Sequence, residues 1–565
     1  MLKIDSLKIS HRIGGDNIDS ISDYNGGIIS LNPGGYKNNA FGTFQNNYSN
    51  FFNPNGILSN QFRNSENASF KYSSLPHLGF QYSFGSKGIQ ILRTEYEQFF
   101  SKKFGLNILI DRSSLGEMMR SGAYKNNTFQ FSTYFRGNRY KNHTIFHFNN
   151  SNIDQNGGLD TASSSVKLFP LEFLAINKSS ANSELKNLKI SSQHYFNVLN
   201  DSINNVGLVL KNEFKLNNRV YTETDSLHLI YSTIYIDSIN TRDQFQFALL
   251  NSQAGFYLKN KNIFGEFLIS QAYWDFQNLA KHLDTNEIAL NLNTGFVLSK
   301  FNFSNKTHIN LIGSKGEMYS KFKMNTVYNK IKLNGYLSLE NKLPSIFQRK
   351  YYSNTNQWYL KDIKTQNSIL TGISGEYLLK NKHSIKTSLN FSSLKNNYFF
   401  VDSTWRNDTL TKLSILSFDA KIDFRINSLV FQPYIIVNQF SAALNYIPKI
   451  DFRTRIGFNK KLFTAKKMDF ICAVDFVYQG SRKLMTYASD LDLYILKSTN
   501  STIQFTNSSL YKIDFFTGFQ IDQFRFYIKI ENLNYIWNKQ DSFVYENIPL
   551  TPFLIRIGLT WDFFN

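Results

Sequence analysis

The sequence predicts an all-β protein, and within that class a transmembrane antiparallel β-barrel of roughly 18 to 22 strands. Three observations predict it. Apolar residues recur with a period of two from one end of the chain to the other. Short polar turns alternate with long polar loops. The chain of 565 residues is 16% aromatic yet only 18% charged, with a mean hydropathy of −0.33, so its apolar residues are interleaved with polar ones.

The alternation is clearest in three segments. In Phe553–Phe563 the six odd positions are all large and apolar, and Ile331–Glu340 alternates mainly leucines with polar residues. In Lys421–Ile426, three charged residues alternate with three apolar ones. Successive side chains of a strand point to opposite faces, so each segment has one apolar and one polar face. No stretch of comparable length shows the spacing of an amphipathic helix, and no apolar run reaches the length of about 20 residues that a spanning helix needs.

The connections separate a barrel from a soluble sandwich. Short polar turns such as Lys102-Lys103, Lys259–Asn262 and Asn427-Ser428 alternate with long stretches such as Gln348–Thr365 and Val401–Thr411. Strands of about ten residues with short turns at one end and long loops at the other are typical of outer-membrane barrels. Aromatic groups near predicted strand ends are expected to form interfacial girdles; they are Phe99-Phe100, Tyr398-Phe399-Phe400 and Phe515-Phe516.

Charge and cysteine content narrow the function further. Lys and Arg number 62 against 42 Asp and Glu, a formal net charge of +20, but the basic residues are scattered rather than clustered. We therefore expect no nucleic-acid partner. The single cysteine, Cys472, excludes an internal disulfide and a cysteine-based metal site. Met1–Ser6 lacks the apolar region of a signal peptide, so export must be inferred from the rest of the chain.

Several motifs resemble the putative porin family of Bacteroidetes outer membranes. The matching pieces are Ser74–Gly88, Phe104–Asn107, Asp111–Ser114, Ser121–Asn126, Tyr134–Tyr140, Asn156–Leu159, Pro344–Phe347 and Leu559–Phe564. The resemblance implies a barrel in the outer membrane of a Gram-negative bacterium, surrounded by lipid and acting as a diffusion pore. It also implies that the assembly machinery for such barrels reads the C-terminal strand Phe553–Phe564, although this chain ends on Asn565 rather than on an aromatic residue.

The polar faces of the clearest strands supply the candidate pore-lining residues. These candidates are Lys332, Lys421, Asp423, Arg425, Arg453, Arg455, Arg525, Lys529 and Arg556. Basic residues outnumber acidic ones on these faces, and rings of Lys and Arg favour anions, so a weak anion preference is one hypothesis. The alternative is that the charges pair across strands as ladders, each pair contributing about 0.2–1 kcal/mol.

We expect no catalysis, no metal and no cofactor. The nearest approach to a hydrolase motif, Gly372-Ile373-Ser374-Gly375-Glu376, lacks the last glycine of Gly-x-Ser-x-Gly. Residues 1–70, rich in glycine and asparagine, are expected to form a lead-in or plug, and residues 71–565 the barrel. The predicted function is passive diffusion of small hydrophilic solutes. The alternative is a non-conducting barrel that serves a membrane complex as a structural or assembly component, and a homo-oligomer is left open.

Overall fold

The computed structural model confirms the predicted class: one sheet of 22 antiparallel strands closes on itself. The structure describes residues 75–564 except 161–168, 201–203, 226, 279–280, 380–382, 397, 402–403, 408–412, 441–446, 464–466, 496–507, 538–542 and 547. The predicted N-terminal segment 1–70 therefore lies outside the described residues.

The barrel strands follow one another in chain order. They are β1 (His77–Gly85), β2 (Gln90–Phe99), β3 (Phe104–Leu115), β4 (Tyr124–Arg136), β5 (Tyr140–Asp154), β6 (Asn182–Asn200), β7 (Asn205–Glu223), β8 (Thr241–Lys259), β9 (Ile263–Asn278), β10 (Lys281–Leu298), β11 (Phe301–Ile312), β12 (Met318–Tyr328), β13 (Ile331–Lys342), β16 (Gln366–Leu378), β17 (Ser384–Lys395), β20 (Leu413–Ile426), β21 (Leu429–Phe440), β22 (Ile450–Leu462), β23 (Met468–Arg482), β26 (Ser508–Ile521), β27 (Phe524–Glu531) and β30 (Leu554–Phe564).

Among the described residues, four short hairpins lie in the long loops, and a few helical turns lie in the connections between strands. The hairpins are β14 (Lys350–Tyr352) with β15 (Gln357–Tyr359), β18 (Tyr398–Val401) with β19 (Thr404–Asn407), β24 (Thr486–Ala488) with β25 (Leu493–Ile495), and β28 (Phe543–Tyr545) with β29 (Ile548–Pro549). The helical pieces are α1 (Leu227–Ile230), α2 (Ile346–Arg349) and the 3-10 turns Ser86–Gly88, Leu171–Phe173 and Leu533–Ile536. Over the described part of the chain, no helix has the length and apolar character needed to span a membrane.

The first and last strands close the barrel. β1 pairs with β30 in an antiparallel register that places Phe80 opposite Trp561 and Gly85 opposite Arg556. Closure satisfies the backbone N–H and C=O groups that a sheet edge would leave unpaired, which the interior of a bilayer cannot hydrate. The terminal strand therefore completes the barrel, in keeping with its strict alternation.

The polarity of the two faces of the sheet is the reverse of that in a soluble protein: the outer face is apolar and the inner face is polar. On β20, Phe424 is 37% exposed on the outer face, whereas on β22 Arg453 is 2% exposed on the inner face. Most apolar residues of the predicted strands point outward and most polar residues point inward, as alternation requires. The sequence prediction of which residues share a face is thus confirmed for these strands.

The outward apolar band has the height of a bilayer core. On β7 and β8 it covers Val206–Leu216 and Ala248–Leu258, and polar residues follow toward the long loops, among them Asn218, Gln244 and Gln246. About ten residues at about 3.4 Å each, tilted by about 40°, rise about 26 Å. β7 and β8 have 19 residues each, so this wall projects beyond the band at the long-loop end.

The predicted aromatic girdle is wrong for four residues. Phe99 is buried, with its ring against Tyr134 at a centroid distance of 6.3 Å. Tyr398 and Phe400 are buried in a cluster formed by the loops, and Phe516 lies inside the barrel against Tyr527, with ring centroids 5.8 Å apart. Each lies in an apolar run near a turn signal, which is where a girdle residue is expected. Their burial depends on contacts with distant segments, which alternation does not record.

Candidate functional site: the barrel lumen

One wall of the lumen carries a buried network of ion pairs. Arg455 on β22 forms a bidentate interaction with Asp475 on β23, donating through Nε (2.6 Å) and Nη2 (2.7 Å). Arg453 donates through Nε and Nη2 to Asp451, at 3.0 Å in both bonds. These four side chains are at most 5% exposed, so the charges are held by each other rather than by water. A charge buried in this way is stable only because it is paired.

The network continues on β26, β27 and β30. Glu531 accepts from Arg556 Nη2 at 2.9 Å and lies 3.2 Å from Lys529 Nζ, while Asp514 lies 3.1 Å from Lys512 Nζ. The candidates Lys529 and Arg556 are therefore paired and buried, as are Arg453 and Arg455. On this wall Arg455–Asp475 and Arg556–Glu531 pair across strands, as in the alternative to a free anion-selective lining, whereas Arg453–Asp451 pairs along one strand.

The wall formed by β11 to β20 carries exposed charges on the same inner face. Lys332 and Lys386 share one carboxylate, Glu376, at 3.4 Å and 3.1 Å. Arg425 Nε lies 3.2 Å from Asp423, with both side chains partly exposed. Lys421 is the Cα partner of Lys386. Their role in lining a pore stays a prediction, as it does for Arg525, which lies near the turn after β26 and donates to Gln520.

Two lysines of this wall were missed by the sequence analysis. Lys321 and Lys323 lie on β12, next to Lys306 on β11. The segment Met318–Tyr328 alternates only through Met318, Phe322 and Met324, because Ser320 and Thr326 interrupt its apolar face. Counting apolar and polar residues at both parities across that segment would have found them.

Three loop hairpins pack together inside the barrel wall at the long-loop end. Hairpins β14–β15, β18–β19 and β24–β25 pack through a mouth cluster of Tyr351, Trp358, Tyr398, Phe400, Trp405, Leu491 and Leu493. Phe245, on the inner face of β8, packs against this cluster. Trp358 donates its indole N–H to the carbonyl oxygen of Phe347 at 2.9 Å. The three hairpins therefore lie against the inner wall and narrow the lumen there.

Polar contacts attach the hairpins to the projecting wall. Arg219 on β7 donates to the carbonyl oxygens of Ser489 (2.6 Å) and Asp490 (2.7 Å). The backbone N–H of Asn354 donates to Asp243 on β8 at 2.8 Å, and its side-chain amide donates to the Thr241 hydroxyl at 2.8 Å. Buried hydrogen bonds to charged groups contribute about 1.5–3 kcal/mol each, so these contacts hold the hairpins firmly.

A second set of contacts fixes the loop between β5 and β6. Lys178 lies 3.3 Å from Glu223, and both are buried. Burial favours the neutral form of Asp225, but hydrogen bonds from the Ser179 hydroxyl and the backbone N–H groups of Ser179 and Ser180 outweigh it and lower the pKa of that carboxyl. The carboxylate therefore joins the loop after β7 to the loop before β6.

Comparison with known proteins decides the family. The family model described as "Putative porin" matches residues 23–565, nearly the whole chain. The chain belongs to this putative porin family. No curated protein matches the sequence.

Solved structures share the barrel architecture of this family member. The copper transporter OprC superposes with a TM-score of 0.63 at 7% identity, covering 88% of this chain and 82% of that one. The ferric-catecholate import receptor Fiu from E. coli K12, in its closed form, gives 0.60 at 9% identity, with 87% and 82% covered. The FrpB iron transporter from Neisseria meningitidis gives 0.59 at 8% identity, with 87% and 82% covered. At such identities the likeness concerns the fold alone.

Proposed function

We propose that this porin-family barrel is a passive channel for small hydrophilic solutes in the outer membrane of a Gram-negative bacterium. The observation that carries the proposal is the inverted barrel: an apolar outer band of bilayer height encloses a polar inner face, part of which is exposed to water. A lumen of this kind offers solutes a hydrated path through the hydrocarbon core. The structural neighbours described as transporters and import receptors support the transport class without specifying a solute.

The mouth cluster sets the size limit in this proposal. The hairpins lie at the long-loop end, so in this proposal a solute passes the mouth cluster before it reaches the exposed charges on the wall of β11 to β20. In this proposal the solute contacts the exposed charges of that wall. It does not contact the buried network on β22 to β30. Lipid is the partner of the outer face, and the assembly machinery is the partner proposed for the terminal strand β30.

The second candidate, a non-conducting barrel in a membrane complex, draws on the same hairpins. Their aromatic packing and the contacts of Arg219 and Asn354 would keep the mouth closed if they never release. A closed mouth would make the barrel a scaffold with no passage. The two functions differ in one measurable property, ion conductance.

The test is single-channel recording of the full chain in a planar lipid bilayer. We expect stepwise currents from the wild type and larger or longer openings from the Arg219→Gln, Asn354→Ala variant, in which the hairpins lose their attachment. A heat-dependent shift on an unboiled gel verifies that both proteins are folded barrels. Absence of current from both folded proteins would contradict the channel and favour the scaffold.

A further inference from the structure

The lysines on β11 and β12 form a basic patch inside the barrel. Lys306 and Lys321 are direct Cα partners across the two strands, and Lys323 is two residues farther along β12. All three side chains are exposed. Among the described residues, none of the three lies within ion-pair distance of a carboxylate. We call Lys306, Lys321 and Lys323 the lysine patch.

The register of the sheet places the lysine patch on the inner face. Lys323 is the partner of Tyr336 on β13, and Lys332 lies on the same face of β13, four residues earlier. From Lys332 the partners run through Glu376, Lys386 and Lys421 to Tyr434, and Tyr434 is the partner of the buried Arg453. The intervening residues of β12, Phe322 and Met324, are exposed on the outer face. The lysines therefore point into the lumen.

Neighbouring groups do not neutralise the patch. Glu340 lies on the inner face of β13 opposite Tyr319, where it accepts a hydrogen bond from Ser368 at 3.4 Å. Like charges directly opposite each other in a sheet destabilise it, and here Lys306 faces Lys321. Glu340 offsets part of the charge of Lys321 without forming an ion pair with it, so one carboxylate lies near three ammonium groups. The other lumen wall shows the contrast, since Arg453, Arg455 and Arg556 each have a carboxylate partner.

We propose that the lysine patch is a binding site for small oxyanions that carry two or more negative charges. Three ammonium groups within one strand pair attract such an anion more strongly than a monovalent one, and lysine binds phosphate-type oxygens as a point charge. A site on the lumen wall, beside the path of the solute, raises the local concentration of anions and favours their passage. This inference rests on the proposed channel function for its role in transport and names the preferred solute class.

The test compares two triple variants of the full chain, purified in detergent. In K306Q/K321Q/K323Q the patch loses its charge. In the control, K300Q/K315Q/K330Q, three positive charges are also removed, but from exposed positions in the turns and the loop that flank β11 and β12. Calorimetric titration at low salt uses tripolyphosphate as the probe. We expect saturable binding to the wild type and the control, and affinity at least tenfold weaker in the patch variant.

Two outcomes would overturn the site: no binding of tripolyphosphate to the wild type, or equal affinity in the two triple variants. Bilayer recording tests the proposed channel function independently of the binding experiment. Binding that depends on the patch, in a protein that never conducts, supports the site and contradicts the channel. Conductance without binding that depends on the patch contradicts only the site.

Discussion

Replacing Asp475 with Asn should destabilise the barrel far more than the equivalent change at Asp423. Both carboxylates face the lumen and both pair with an arginine. Asp475 and Arg455 are 1% and 5% exposed and share two bonds of 2.6 and 2.7 Å. Asp423 and Arg425 are 24% and 45% exposed, at 3.2 Å. Asn has nearly the same size as Asp, so each substitution removes the charge without opening a cavity.

The burial of the Arg455–Asp475 pair determines how much stability the Asp475→Asn substitution removes. Removing one partner of a buried ion pair leaves the other charge uncompensated and costs about 3–5 kcal/mol. Asp514 is the Cα partner of Asp475, so the neutral Asn also relieves some repulsion, and we expect a loss near the lower end, about 3 kcal/mol. The exposed pair at Asp423 is worth about 0–1 kcal/mol because water and salt screen it.

Urea titration of the folded protein in lipid vesicles, followed by tryptophan fluorescence, gives the free energy of unfolding for each variant. The double variant Arg455→Met, Asp475→Leu removes both charges and should recover most of the loss, because buried ion pairs are often replaceable by apolar residues. Equal losses for Asp475→Asn and Asp423→Asn would refute the division of the lumen into a buried and an exposed wall.

Three further predictions concern the outer face, a close backbone contact and an acid-sensitive loop. Ile422→Arg places a cation against lipid near the middle of the outward band and should cost about 2–4 kcal/mol, seen as reduced folding on an unboiled gel. A Cβ at Gly255 would lie 1.9 Å from a carbonyl oxygen of β9, whereas nothing lies within 4 Å of one at Gly265. Gly255→Ala should therefore lower stability by about 1–3 kcal/mol in urea, and Gly265→Ala should not. The pKa of Asp225 is lowered in the folded protein, so its contribution to stability is present above its ordinary pKa and is lost as the pH falls through the folded value. Hydrogen-exchange protection of residues 176–181, corrected for the intrinsic exchange rate at each pH, should therefore fall in acid, and Asp225→Asn should abolish that loss of protection.

The sequence by itself determined the barrel, the approximate strand number and the facing of the clearest strands. These features are local, because side chains alternate with a period of two and the sequence of each strand shows which of its faces is apolar. Ile422, Phe424 and Ile426 thus face outward beside inward Lys421, Asp423 and Arg425, and the terminal strand closes on β1. The prediction of facing weakened where polar residues interrupt the apolar face, as on β12.

Only the tertiary structure decided which inward charges are accessible and where the loops lie. Arg453 and Lys332 look alike in the sequence, yet one is buried beside Asp451 and the other is exposed. Arg219 reaches the backbone of Asp490, 271 residues away, and Gln155 reaches the hydroxyl of Tyr487, 332 residues away. Such contacts join segments that barrel closure brings together, and no local pattern encodes them. The shape of the lumen therefore depends on packing between distant loops and strands. The wall that surrounds it can be predicted from the alternation of apolar and polar residues in each strand.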